Sequence, residues 1–511
     1  MTISAPLDDR LLGAPIVRMA HQARHRRALV CEDQQLTYAQ LDHAIGVTSA
    51  GLAEAGVGHG DRVVMAGLPR IEAIVTMFAL ARLGAVLVPV HPTSTRSELA
   101  AIAEAVDPVA AVGDAAFVES AWDGVLALSW DPGASSALEL RLDADLEPVT
   151  TWDAKVDDLA VIAFTSGTSG HPKGVLLTHE NLHWGVRNAL SSVDIRMDDT
   201  VLVATPLSHS AVFAGLPQYA WAVGGTVVLA PRFEPDDFAD AVRDHGVTIA
   251  FVVATMLARL VQSESWTALS SSRLRSLVIG GGPPITSLMS VLAATGIAPV
   301  NSYGLTEASA GVSYASGVEA ATDPLCAGVP AAHVELRVVG PSGRPVPDGA
   351  PGEIWVRGPS IARSYLTAEG RRMPAIDDDG WLHTGDRGHL DVAGRLYVTG
   401  RLSDTIITGG EKVDPAEVEN ALSTMPGIRE VAVLGLPDTH WGEAVTAMVV
   451  LEDSCGLTLE QVRTHLCPQL AGFKLPRRVM VVDELPRTPT GKVRRSRLRN
   501  AAVVDAPCSE L

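Results

Sequence analysis

Paired cysteines are missing from this sequence. Cys31, Cys326, Cys455, Cys467 and Cys508 lie far apart and form no C-x-x-C unit, which argues against a disulfide framework or a cysteine zinc site and fits a reducing, cytoplasmic setting. Basic charge is also short: 40 Lys and Arg against 59 Asp and Glu leave a formal net charge of -19. A chain that neutralises nucleic-acid phosphates needs a basic footprint on at least one face, so no nucleic-acid partner is expected. Small anions, held by a few local groups, stay open. The opening MTISAPLDDRLLGAP has no basic segment ahead of an apolar run, so no signal peptide is read. Nor is there an unbroken apolar run of spanning length. Ala211 to Pro231 comes nearest, but Pro217, Gln218, Gly224 and Gly225 interrupt it, and it reads as a buried helix followed by a strand.

What the chain has is apolar material. Of its 511 residues 47% are hydrophobic, and a chain of this length divides into at least two domains. The segments 159–165, 200–206, 226–231, 247–253 and 274–281 are nearly continuous apolar runs, the pattern of strands buried on both faces beneath helices. The expected fold is therefore α/β, with mainly parallel sheets covered by helices. Beyond about residue 380 the pattern changes to alternation and turns. Val392, Ala393 and Gly394 can close a hairpin. Asp414, Pro415 and Glu417 form a capping-box pattern, and Thr458 with Gln461 repeats it; the stripes Val418, Leu422, Met425 and Val462, Leu466, Leu470 follow. A small α+β domain is expected here.

One loop carries chemistry. In FTSGTSGHPKGVLLTHENL, Phe164 to Leu182, the residues Thr165, Ser166, Gly167, Thr168, Ser169 and Gly170 lead to Lys173. The segment leaves a buried strand and precedes a helix with Thr178 as its cap, so a strand-loop-helix turn at the carboxyl edge of a sheet is expected. Glycines let backbone approach a ligand, hydroxyls and amides donate hydrogen bonds, and Lys173 adds charge, which together suit a triphosphate. The Walker A spacing is absent, and Gly174 stands where its magnesium-binding Ser or Thr would be. A Ser169 nucleophile with Lys173 as base fails on spacing, four residues apart rather than three. A plain Ser/Gly surface loop is the bland alternative.

This loop resembles the signature of the adenylate-forming superfamily of acyl- and aryl-CoA synthetases, luciferases and nonribosomal adenylation domains. The similarity runs from LTYAQLDHA (36–44) through LARLGAVLVPVHP (80–92) to PRTPTGKVRR (486–495). The resemblance implies a large domain over residues 1–401 and a mobile lid over 402–511, with a hinge near Ser403 and Asp404, although the family often has lysine at position 403.

The same resemblance assigns roles. In NSYGLTEAS (301–309), Tyr303 would pack on adenine, with Ser302 and Gly304 beside it and Thr306 and Glu307 facing phosphates and Mg2+; a carboxylate is a hard oxygen ligand. WLHTGD (381–386) places Asp386 on the ribose hydroxyls, and Val398 and Arg401 lie near ribose and phosphate. In VIGGGPP (278–284), Gly280, Gly281, Gly282 and Pro283 would border the adenine and acyl pockets. TPLSHSAVFAG (205–215) supplies His209 as a gate, with Val212, Phe213, Ala214 and Gly304 as pocket wall. Amino-acid-activating relatives place an aspartate in this segment, and residues 205–215 contain none, which favours a hydrophobic carboxylic acid. Gly409 and Gly410 would line the path of the coenzyme A thiol, and Lys492 would bridge carboxylate and α-phosphate.

From Lys474 to Arg499 there are nine basic residues against Asp483 and Glu484, a run suited to the phosphates of ATP or coenzyme A. The implied activity is an AMP-forming acid:CoA ligase using ATP, Mg2+ and coenzyme A. An acyl carrier protein as acceptor, a ligase specialised for one half-reaction, and a nucleotide-binding regulator are the alternatives.

Overall fold

The computed structural model describes residues 7–119, 124–131, 138–139, 146–166, 172–282, 284–452, 456–487 and 493–504. Two nine-stranded sheets form its large α/β part. In the first, the strands Ala298–Tyr303, Ser276–Gly280, Ile249–Val253, Thr200–Val203, Thr226–Leu229 and Arg27–Cys31 run parallel in that spatial order, with antiparallel strands at both edges. Four of the five apolar runs read from the sequence are these strands. Their side chains are buried against helices on both faces, which is why the runs are continuous rather than alternating.

The fifth run, Leu159–Ser166, belongs to the second sheet. It pairs parallel with Val86–Pro89 on one side but antiparallel with Pro172–Thr178 on the other. The expected strand-loop-helix turn is thus corrected: the Ser/Thr/Gly segment joins two strands of a hairpin, and the helix begins one strand later. Thr178 does cap that helix, His179–Leu190, in a reciprocal capping box with Asn181.

Ala211–Pro231 is helical over Leu216–Val223 and extended over Thr226–Leu229, as its sequence suggests. Among the described residues no helix is long and apolar enough to cross a membrane. A third, four-stranded antiparallel sheet contains Leu382–Leu390 and Leu396–Arg401, joined by the expected turn at Val392 to Gly394.

The C-terminal region forms a five-stranded sheet with helices Pro415–Leu422 and Leu459–Leu466 packed on one face. Val418, Leu422, Val462 and Leu466 are buried there, as their spacing predicts. Thr458 and Gln461 make a full capping box. Asp414 does not: its side chain makes no cap hydrogen bond.

Candidate active site

The parallel strands of the first sheet end together at their carboxyl edge, and two of them deliver the central residues. Ser276–Gly280 runs into Gly281 and Gly282, both exposed, while Ala298–Tyr303 runs into Gly304, Thr306 and Glu307, all half-buried. Ser302 donates its hydroxyl to the Ile279 carbonyl at 3.1 Å, which ties the two strand ends together. A Cβ on Gly280 would lie 2.6 Å from Ser302 Oγ, and one on Gly304 would lie 1.5 Å from the Ala310 carbonyl oxygen. Glycine at 304 is thus required by the loop's own backbone, before any ligand is considered.

Tyr303 meets the third sheet. Its hydroxyl donates to Asp386 Oδ2 at 2.7 Å, and Arg401 Nε lies 2.6 Å from Asp386 Oδ1. Asp386 and Arg401 are cross-strand partners, so sheet register fixes their pairing. Burial, followed by the nearby Asp386 charge, holds the Tyr303 phenol well above its usual range and therefore neutral. A buried carboxylate between a phenol and a guanidinium, with an aromatic face attached, fits a nucleoside: the face can stack a base and a carboxylate can accept from ribose hydroxyls. Val398, on the same strand as Arg401, packs partly buried against the main core.

Lys173, Glu307 and Tyr365 form the neighbouring cluster. Strand Ser364–Leu366 pairs antiparallel with Pro172–Thr178, which brings Tyr365 beside Lys173. Lys173 Nζ stands 5.6 Å from the centre of the Tyr365 ring, and the Tyr365 hydroxyl donates to Glu307 Oε1 at 3.2 Å. Burial and then the Glu307 charge raise the Tyr365 phenol. Tyr365 was not legible as a site residue, because only strand pairing places it there. Across the hairpin Thr165 faces Lys173 and donates to its carbonyl at 3.5 Å.

Among the described residues no group of three or more His, Cys, Asp or Glu side chains could cage a metal. A lone carboxylate such as Glu307 suits magnesium, which is usually held by one or two carboxylates together with substrate phosphates.

His209 is half-buried and directly precedes the short helix Ser210–Phe213. The pocket wall proposed around it needs correcting. Val212, Phe213 and Ala214 are 1%, 1% and 0% exposed and belong to the main core, because the short helix turns its apolar residues inward. The half-buried residues at this edge are instead Ser208, Ser210 and Ala211, with Phe251 and Val253 at the end of a neighbouring strand. Phe251 lies where a Cβ on Gly280 would come within 3.2 Å. The only signal for it in the sequence was its place at the end of an apolar run.

Gly409 and Gly410 close the tight hairpin between Ile406–Thr408 and Glu411–Val413, with φ of 60° and 86° that other residues rarely adopt. A Cβ on Gly409 would also lie 2.8 Å from the Trp441 ring, on which Arg477 stacks at 3.5 Å. Gly167, Thr168, Ser169, Gly170, Pro283 and Lys492 lie outside the described residues, and Ser166 ends its strand there.

Residues 17–366 match the AMP-binding enzyme family, and residues 417–492 match the AMP-binding enzyme C-terminal domain. The chain belongs to the AMP-binding enzyme family. Within this family it is similar to a feruloyl-CoA synthase of an Amycolatopsis species, 36% identical over 96% of this chain and 98% of that protein. It is also similar to an indoleacetate–CoA ligase of Aromatoleum aromaticum, 34% identical over 93% of this chain and 94% of that one.

Among solved structures, ATP-bound MatB from Rhodopseudomonas palustris superposes with a TM-score of 0.88 at 30% identity, covering 95% of this chain and 98% of that chain. MatB without nucleotide gives 0.78 at 30% identity, covering 96% and 98%. The α/β architecture with a distinct C-terminal domain is that of adenylate-forming enzymes.

Proposed function

We propose that this AMP-binding enzyme is an AMP-forming acid:CoA ligase acting on a hydrophobic, aryl-bearing carboxylic acid, in two steps on one site. The observation that carries the reading is the convergence, from three different sheets, of Tyr303, Asp386 and Arg401 beside Lys173, Tyr365 and Glu307. The first group suits a nucleoside, and the second suits its phosphates. The lack of an aspartate in 205–215 supports a hydrophobic acid, and the aryl preference is supported by the feruloyl- and indoleacetate-activating relatives and by half-buried Phe251 at the cleft edge.

In the first step the acid's carboxylate oxygen attacks the α-phosphorus of ATP, and the bond to the β-phosphate oxygen breaks to release pyrophosphate. Tyr303 orients the base, Asp386 the ribose, and Lys173 neutralises phosphate charge; positioning and charge account for most of the catalysis in such transfers. Magnesium, when bound with the phosphates, would offset charge on the leaving pyrophosphate, with Glu307 as its protein ligand and Tyr365 holding Glu307 in place. Lys492 bridges the carboxylate and the α-phosphate.

In the second step the coenzyme A sulfur attacks the activated carbonyl and AMP leaves. For this the region beyond a hinge at Ser403 and Asp404 turns, withdrawing Lys492 and bringing in the Gly409–Gly410 turn. One lid cannot present both groups at once. Residues 1–401 then form the nucleotide-binding domain and 402–511 the lid.

The test is acid-dependent pyrophosphate release from ATP across cinnamic-type, indole, fatty and bulky cyclic acids, each with and without coenzyme A, and with a phosphopantetheinylated carrier protein as the rival acceptor. Release with an aryl acid and turnover that needs coenzyme A are expected. Transfer to the carrier protein alone, or ATP binding with no pyrophosphate from any acid, would overturn the assignment.

A further inference from the structure

Asp414 sits where a helix cap belongs and does something else. It precedes Pro415 at the start of helix Pro415–Leu422, and an aspartate there would ordinarily accept from the backbone N–H two or three residues on. Instead its Oδ1 accepts from Arg387 Nη1 at 2.8 Å, and no side-chain cap bond forms. The pair is largely withdrawn from water, the two side chains being 16% and 11% exposed.

The two residues lie on opposite sides of the proposed hinge. Arg387 follows Asp386 on strand Leu382–Leu390, in the sheet that carries Asp386 and Arg401, whereas Asp414 opens the first helix beyond residues 402–404. Other ion pairs beyond the hinge stay on one side of it: Arg495 pairs with Glu419 and lies 3.7 Å from Asp404. Rotation of the lid would therefore carry Asp404, Glu419 and Arg495 together but must break Arg387–Asp414.

Breaking a sheltered ion pair usually strands a charge. Asp414 has an exit: Pro415 carries no N–H and the Glu417 N–H already meets the Asp414 carbonyl at 3.2 Å, which leaves the Ala416 N–H of the first turn for the carboxylate to cap. Arg387 can turn to solvent. The carboxylate thus has two alternative partners, one across the hinge and one within its helix, which makes it a two-state element rather than a fixed strut. The structure also superposes better on the ATP-bound relative than on the same relative without nucleotide.

We propose that Arg387 and Asp414 are positioning residues, a clasp that favours the lid arrangement in which the acid is adenylated. This rests on the two-step reading above. The variants are Arg387→Ala and Asp414→Asn. Asparagine caps a helix as well as aspartate does, so D414N removes the ion pair while leaving the side chain able to cap.

Single-turnover pyrophosphate release, with an acid that the wild type uses, is expected to slow about tenfold in each variant, within the range for contacting pairs. Thioester formation from a supplied acyl adenylate and coenzyme A should keep its wild-type rate. The double variant should be no slower than either single one. Equal loss in both half-reactions, no change in either, or a loss confined to thioester formation would overturn the clasp.

Hydrogen exchange reads the same contact without turnover, and so separates failure of the clasp from failure of the ligase assignment. In D414N, faster exchange is expected over 396–401 and 415–422, which pack against each other, with the strands 428–438 and 442–451 unaltered. Exchange equal to wild type over 396–401 and 415–422 would overturn the proposal even in a protein that activated no acid.

Discussion

Tyr303 and Asp386 come from different sheets, and a 2.7 Å hydrogen bond joins them. The aromatic face proposed for the base and the carboxylate proposed for the ribose are therefore one unit: moving either disturbs the other. Arg401, paired with the opposite carboxylate oxygen, completes it.

Tyr303→Phe keeps the ring and removes the bond. A hydrogen bond to a charged group contributes about 1.5–3 kcal/mol, so KM for ATP should rise on the order of tenfold with less change in kcat. Asp386→Ala should cost more, and the double variant should cost less than the sum of the two. The ATP dependence of pyrophosphate release checks this, and strict additivity would mean that the two residues act separately.

Tyr365→Phe leaves the ring beneath Lys173 and releases Glu307. The magnesium concentration needed for half-maximal pyrophosphate release should rise on the order of tenfold, since a hydrogen bond to a charged group contributes about 1.5–3 kcal/mol. Thioester formation from a supplied acyl adenylate should not change. A magnesium titration identical to wild type would reduce Tyr365 to packing.

Lys492→Ala should abolish adenylation and spare thioester formation from a pre-made acyl adenylate, since the lysine is needed only while charge develops at the α-phosphate. Assaying the two half-reactions separately decides it. Equal loss of both would remove Lys492 from its assigned role.

His179 gives a pH signature to stability. It is buried, its Nδ1 accepts the Leu12 N–H at 3.0 Å, and its Nε2 has no partner. Burial pushes its pKa down from 6.5 to about 4, against a smaller upward pull from the Asp158 charge. The unfolded chain therefore takes up the proton first as pH falls. The contribution is fully present above pH 6.5 and is lost as pH drops toward 4, by roughly 3 kcal/mol. His179→Gln, which keeps an acceptor for Leu12, should flatten that part of the profile; urea unfolding midpoints at several pH values between 4 and 7 would show it.

Features set by neighbours along the chain were legible without a structure. The Thr178 cap, the Thr458–Gln461 capping box, the turn at Val392 to Gly394 and the buried strands each depend on a few consecutive residues whose spacing states the geometry. The motif residues Tyr303, Glu307 and Asp386 were legible by resemblance, and the AMP-binding family confirms the kind of enzyme they belong to.

What only tertiary structure decided depends on partners distant in sequence. A second strand, not a helix, follows Leu159–Ser166 because that strand finds its antiparallel partner in Pro172–Thr178. Tyr365 reaches Lys173 through a strand almost two hundred residues later, and Val212 and Phe213 face the core because of how one short helix packs. Asp414 shows the reason most directly. Its local sequence specifies a cap worth about 1 kcal/mol, and a guanidinium 27 residues away in the chain takes the carboxylate instead. Local pattern fixes which conformations a segment favours, but competition among distant partners fixes which contact it makes.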